Sequence, residues 1–199
     1  MARSLGSAAT LELRAPGRTV SRVAAVAITV IAVALSAQAS VPLPFSPVPM
    51  SLQPLAVILA GGLLGPGLGA LALGCYLAAG IAGLPVFAPT VPLQGIGRLL
   101  GPTGGYLLAF PLAAAVTGRL VRSAPTAGTL TFPLRALAAS LAGMAIIHLG
   151  GAAQLALLGG DPARALQIGV IPFLLADGVK VLLAVATLVA VRHARRSGV

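Results

Sequence analysis

Two side chains in this sequence stand where electrostatics disfavours them. Asp177 and Lys180 lie within IPFLLADGVKVLLAVA (171–186), part of the last long apolar stretch of the chain. They are the only acid and the only lysine inside any of its hydrophobic runs. A charge at the centre of a bilayer costs roughly 2.5–3.5 kcal/mol on insertion scales. The i, i+3 spacing places both on one face of a helix, within reach of each other. Two readings account for the pair. In one it is a structural ion pair that neutralises itself and pins the helix to its neighbours. In the other it is a polar ligand site buried among apolar helices, the default for ionisable groups at membrane depth.

Other reactive groups are sparse. Glu12, Asp161 and Asp177 are the only acids, a thin inventory for a membrane enzyme that needs a catalytic base or a metal cluster near a lipid headgroup. There is no Walker A lysine, no GxSxG and no HExxH, so the chain does not itself hydrolyse ATP by the Walker mechanism. The single cysteine, Cys75, excludes an internal disulfide and a cysteine-rich metal site, and reads as a small packing residue. No cofactor and no metal are expected. His148, alone on an apolar helix, reads as a satisfied packing histidine rather than a ligand.

The elements that position these groups follow from composition. Of 199 residues, 58% are hydrophobic and 8% charged, where soluble domains carry roughly a quarter charged residues. The mean hydropathy is +1.03. The chain reads as an all-α integral membrane protein, because its apolar runs are long rather than alternating and helices satisfy their own backbone groups in hydrocarbon. The net charge of +10 comes from arginines placed between apolar runs. Membrane topology explains that better than nucleic-acid binding.

Hydropathy predicts a bundle of six transmembrane helices at about 20–40, 51–64, 66–83, 101–121, 132–158 and 166–191. The first apolar run exceeds a typical signal-peptide core, so it is read as a retained helix. Its Ala, Ser and Thr residues suit packing within the bundle or docking of a partner membrane protein. VPLPFSPVPM (41–50) holds four prolines and no charge, which forbids a helix and favours extended backbone. It is either an exposed loop or part of a cap over a site. LPVFAPTVPLQGIGRLL (84–100) is a second Pro/Gly-rich connection, and 122–131 is a polar loop. GPTGGY (101–106) opens the fourth helix, with Thr103 as a cap and glycines that leave N–H groups open to a ligand or another helix.

Six helices put both termini on one side. Arg3, Arg14, Arg18, Arg22, Arg119, Arg122, Arg135, Arg192, Arg195 and Arg196 then lie on the terminal side, and Arg98 and Arg164 on the other. The positive-inside rule makes the terminal side cytoplasmic. The organisation expected is a basic cytoplasmic tail (1–19), a six-helix substrate-binding domain (20–191) and a second basic tail (192–199). Both proline-rich stretches, the GPTGGY segment and the Asp177/Lys180 pair then converge on the outer half, as a capped pocket for a small polar molecule would.

Four segments carry a family resemblance: PFSPVPMSLQ (44–53), YLAAGIAGLPVFAP (76–89), GPTGGYLLAF (101–110) and PFLLADGVK (172–180). Together they resemble the BioY family of biotin transporters, the substrate-binding (S) components of energy-coupling factor (ECF) transporters, over about residues 20–190. The resemblance implies a multi-pass protein of the bacterial cytoplasmic membrane that captures biotin from outside. It implies partnership with a transmembrane coupling subunit and two cytoplasmic ATPase subunits, in keeping with the missing Walker motif. It also implies that Asp177 and Lys180 lie at the biotin site with the GPTGGY segment. Asp177 would accept the ureido N–H groups of biotin, and Lys180 would neutralise Asp177 or meet a ligand oxygen. Tyr76, Tyr106 and Phe87 would pack on its rings. Gln53, Gln94 or the N–H groups of Gly104 and Gly105 would serve the ureido carbonyl, and Arg98 the carboxylate. S components commonly dock through an AxxxA motif in the first helix; the nearest spacings here are Ala25/Thr29 and Ala32/Ser36. An S component for another vitamin and a structural subunit with a self-satisfied Asp–Lys pair remain the alternatives.

Overall fold

The structure is a computed structural model that describes residues 16–123 and 131–197. The first fifteen residues, and most of the loop expected over 122–131, lie outside the described residues. Helix α1 runs over Pro16–Gln38, a turn earlier than hydropathy predicts. The proline-rich stretch after it is extended, as the sequence requires, but it is also paired. Strands β1 (Ser40–Leu43) and β2 (Ser46–Ser51) form an antiparallel hairpin, with Ser40 opposite Ser51 and Leu43 opposite Ser46. Prolines are tolerated because each strand is an edge.

Helices α2 (Gln53–Leu64) and α3 (Pro66–Ile81) are joined through Gly65 alone. Its φ of 83° lies in the left-handed region that glycine adopts without penalty, and Pro66 then starts α3 where no N–H is needed. The 84–100 connection contains a one-turn helix, α4 (Ile96–Leu100). Helices α5 (Gly104–Arg122) and α6 (Thr131–Gly159) follow. The last predicted helix, 166–191, is divided. A short helix α7 (Pro162–Gly169) and a 3-10 turn at Ile171–Phe173 precede α8 (Leu174–Arg196). Asp161 caps α7, accepting from the N–H groups of Ala163 and Arg164. Pro172 then interrupts the ladder before α8. Helix α8 also runs beyond residue 191, into the predicted tail.

Four stretches among the described residues are long and apolar enough to cross a membrane: Thr19–Gln38, Gly104–Arg122, Thr131–Gly159 and Pro162–Arg196. Helices α2 and α3 are apolar but shorter, at 12 and 16 residues. The inner face of α5 packs on α2, α3 and α6. Its N-terminal turn touches α6 so closely that a Cβ on Gly105 would run into the Gly150 carbonyl. Small residues are what allow such an approach where lipid supplies no hydrophobic drive between helices. Ile28, Leu35, Leu175 and Leu182 point outward, as in a protein whose solvent is hydrocarbon.

Candidate functional site

The ends of α2, α5 and α8 where those helices begin, the later part of α6, the β-hairpin and the 84–100 connection meet at one end of the bundle. They line a partly open cavity of about 60 Å³. Most of its wall is apolar: Val48 and Pro49 from β2, Leu107 and Phe110 from α5, Ile147 from α6, and Phe173. The hairpin is held over it by Ser46, whose hydroxyl donates to the Ile168 carbonyl of α7 at 2.7 Å. Residues 41–50 are therefore part of a cap.

The polar groups converge on this wall. Lys180 Nζ donates to Asp177 Oδ1 at 2.6 Å, and His148 Nε2 lies 2.8 Å from Asp177 Oδ2. A carboxylate only accepts, so that second bond has the imidazole as donor. Both oxygens of Asp177 are engaged, yet each retains acceptor capacity, and Lys180 retains two N–H groups. Asp177 is 4% exposed and Lys180 5%. His148 stands beside Tyr106 and Phe173, with ring centroids 6.4 Å from each. The Tyr106 hydroxyl donates to the Gly169 carbonyl at 2.6 Å and so ties α7 to α5.

Arg98 lines the cavity from α4. Its Nη1 donates to the Val91 carbonyl at 2.7 Å and its Nη2 to the Ala88 carbonyl at 2.8 Å. The guanidinium thus organises the loop that carries it. Burial lowers its pKa from the ordinary arginine value and the nearby Tyr76 raises it; arginine starts so high that it stays charged. Three polar atoms on the wall are buried with no hydrogen-bond partner among the described residues: Arg98 Nε, Thr103 Oγ1 and His148 Nδ1. Buried polar atoms are normally satisfied, so these three are exceptions.

Of the residues predicted from the sequence, Asp177, Lys180, Tyr106, Arg98 and Gln53 line the cavity. Tyr76 and Phe87 stand one layer behind. Tyr76 is fully buried, accepts from Gln53 Nε2 at 2.7 Å, donates to the Val86 carbonyl and meets Phe87 edge-on. Tyr76 therefore positions Gln53. Gly104 and Gly105, whose N–H groups were expected to serve a ligand or another helix, are not on the wall; Gly104 N–H donates to the Gly101 carbonyl, and at Gly105 it is the missing Cβ that lets α6 approach. Thr103 precedes α5 but its hydroxyl makes no cap bond, which corrects the capping role expected of it. His148 is bonded, as expected of a packing histidine, but its partner is Asp177 and it faces the cavity.

A profile of the BioY family matches residues 8–197. Among curated proteins, the chain is 42% identical to the "Probable biotin transporter BioY" of Pyrococcus horikoshii, over 82% of this chain and 91% of that one. The chain belongs to the BioY family. A second relative is the "Biotin transporter BioY" of Thermotoga maritima, 38% identical over 75% of this chain and 83% of its own length. The fold of this BioY-family chain is shared with the crystal structure of an S-component for biotin from an ECF-type ABC transporter. The TM-score is 0.77 over 89% of this chain and 94% of the other, at 24% identity, so that likeness is one of fold.

Two further residues complete the site of this BioY-family chain and were not singled out by type or spacing. Gln154 on α6 donates to the carbonyls of Leu99 and Gly101 at 2.8 and 2.6 Å, fixing the turn between α4 and α5. Ser51, on the cavity wall, donates to Gln53 Oε1 at 3.3 Å. A polar residue on an otherwise apolar helix was the available signal for Gln154. Nothing in the sequence distinguishes Ser51 from other loop serines.

Proposed function

We propose that this chain captures biotin with high affinity and moves it across the cytoplasmic membrane as the S component of an ECF-type transporter. It is a transport protein and not an enzyme. The observation that carries the reading is the charge balance of the cavity. Arg98, Lys180 and Asp177 together contribute one net positive charge to a wall that is otherwise mostly apolar. Biotin is a monoanion with a polar ureido head and an apolar body, and complements all three features. Asp177 accepts ureido N–H groups through charge-assisted bonds. Lys180 or Arg98 Nε meets the carboxylate. Tyr106, Phe110 and Phe173 enclose the apolar part, and Gln53, held by Tyr76, serves the ureido carbonyl. Phe87 braces Arg98 from behind, its ring centroid 5.9 Å from the guanidinium carbon.

In the topology we propose, α1, α2, α3, α5, α6 and the α7–α8 unit make six crossings and both termini are cytoplasmic. Residues 1–19 and 192–199 are then the basic cytoplasmic flanks of a substrate-binding domain at 20–191. Arginine distribution supports this orientation, since among the described residues Arg122, Arg192, Arg195 and Arg196 lie together at the end away from the cavity. The cavity then opens toward the outside. A coupling subunit and two ATPase subunits supply the energy this chain lacks the motifs to harvest.

The test is calorimetry of biotin binding to the purified, detergent-solubilised chain. Nanomolar affinity is expected. A folded protein that leaves biotin unbound and takes up another vitamin would overturn the substrate assignment and keep the site.

A further inference from the structure

At the end of the bundle opposite the biotin cavity, a second concavity opens between the C-terminal ends of α2, α5 and α8 and the start of α6. Leu63 and Leu188 contribute to its apolar floor, and Arg122, Arg192, Arg195 and Arg196 ring it. Among the described residues no acid lines it; Asp161 and Asp177 line concavities at the other end. Arg135 and Arg196 lie within electrostatic reach of Arg192. Two of these arginines are held in place by the protein. Arg122 Nη2 donates to the Leu64 carbonyl at 2.7 Å, and the Arg192 guanidinium stacks 4.0 Å from the centre of the Phe132 ring. Arg135 also carries a buried Nη1 with no hydrogen-bond partner among the described residues.

Topology demands arginines near these helix ends. It does not demand that four of them from two helices ring one groove with an apolar floor. Clustered like charges repel, and the arrangement is favourable when an anion sits among them. Guanidinium forks match phosphate oxygens in bidentate geometry. The apolar part of the lining, which includes Leu63, Val121 and Val191, suits the start of an acyl chain. Basic pockets between helices at a membrane surface are where lipid headgroups bind. We propose that this groove binds the phosphodiester headgroup of an anionic phospholipid from the adjoining leaflet.

The experiment uses the full chain in nanodiscs of phosphatidylcholine doped with phosphatidylglycerol, with lipid retention read by native mass spectrometry. The expected result is selective retention of phosphatidylglycerol, weakened about tenfold in Arg195→Gln/Arg196→Gln, as befits lost charge-assisted bonds. Arg22→Gln/Arg119→Gln removes the same charge at exposed positions outside the groove and is expected to change nothing. Equal loss in the two doubles would mean a diffuse surface field and overturn the proposal. So would absence of preference over phosphatidylcholine, or displacement of the lipid by inorganic phosphate. Where the Gln double melts early in pure phosphatidylcholine, Arg195→Lys/Arg196→Lys replaces it. That variant keeps the charge and loses the fork, and unchanged retention in it would overturn the proposal as well.

Discussion

Replacing Asp177 by asparagine tests the site most directly, because the side chain keeps its shape and one carbonyl while losing its charge. The carboxylate is 4% exposed and accepts from both Lys180 and His148. A hydrogen bond to a charged group is worth about 1.5–3 kcal/mol. At about 1.4 kcal/mol per tenfold, loss of one such bond to the ureido head weakens biotin binding between about tenfold and about a hundredfold. The same change strands Lys180, 5% exposed, without its counter-charge. Removing one partner of a buried pair costs about 3–5 kcal/mol of stability. The two effects are separated by Asp177→Asn/Lys180→Met, which removes both charges. Melting temperature is expected to fall in the single variant and to recover in the double, while calorimetry finds biotin affinity low in both. If affinity recovers together with stability, the pair is structural and the ligand-site reasoning fails. A folded Asp177→Asn protein whose affinity stays within about threefold of wild type refutes it equally.

Thr103→Val deletes a hydroxyl that has no partner in the described protein. Melting is expected to stay unchanged while biotin affinity drops about fivefold, the worth of one neutral hydrogen bond gained from the ligand; a stability loss with intact affinity argues for a structural hydroxyl. Arg98→Lys retains the charge but cannot grip the Val91 and Ala88 carbonyls together. Faster amide exchange over residues 88–95 and weaker biotin binding are expected, and unaltered exchange refutes the loop-organising role. Gly105→Ala drives a methyl into the Gly150 carbonyl and is expected to lower stability by about 1–3 kcal/mol. Gly74→Ala, with open space around it in the same kind of helix, is the control and is expected to be neutral or to stabilise by up to about 1 kcal/mol.

Composition and periodicity alone determined that the chain lives in a membrane as helices, because 58% hydrophobic residues in long runs permit little else. They also located the Asp177/Lys180 pair, since a charge within an apolar run is conspicuous whatever surrounds it, and i, i+3 geometry is local. Proline made 41–50 extended for an equally local reason. What the chain could not reveal by itself depends on contacts between residues distant in sequence. His148 is an ordinary helix residue until α6 brings it 2.8 Å from Asp177, 29 positions later. Tyr76 carries the right chemistry for a ligand, but the fold puts Gln53 and not the cavity against its hydroxyl. Gly105 reads as an open backbone donor, and only the close passage of α6 shows that its missing Cβ makes room for Gly150. The arginines of α5 and α8 follow the charge rule singly; that they ring one groove is decided by where the helix ends meet. Hydrophobicity and local spacing are properties of a segment, whereas partners, burial and cavities belong to the packed chain.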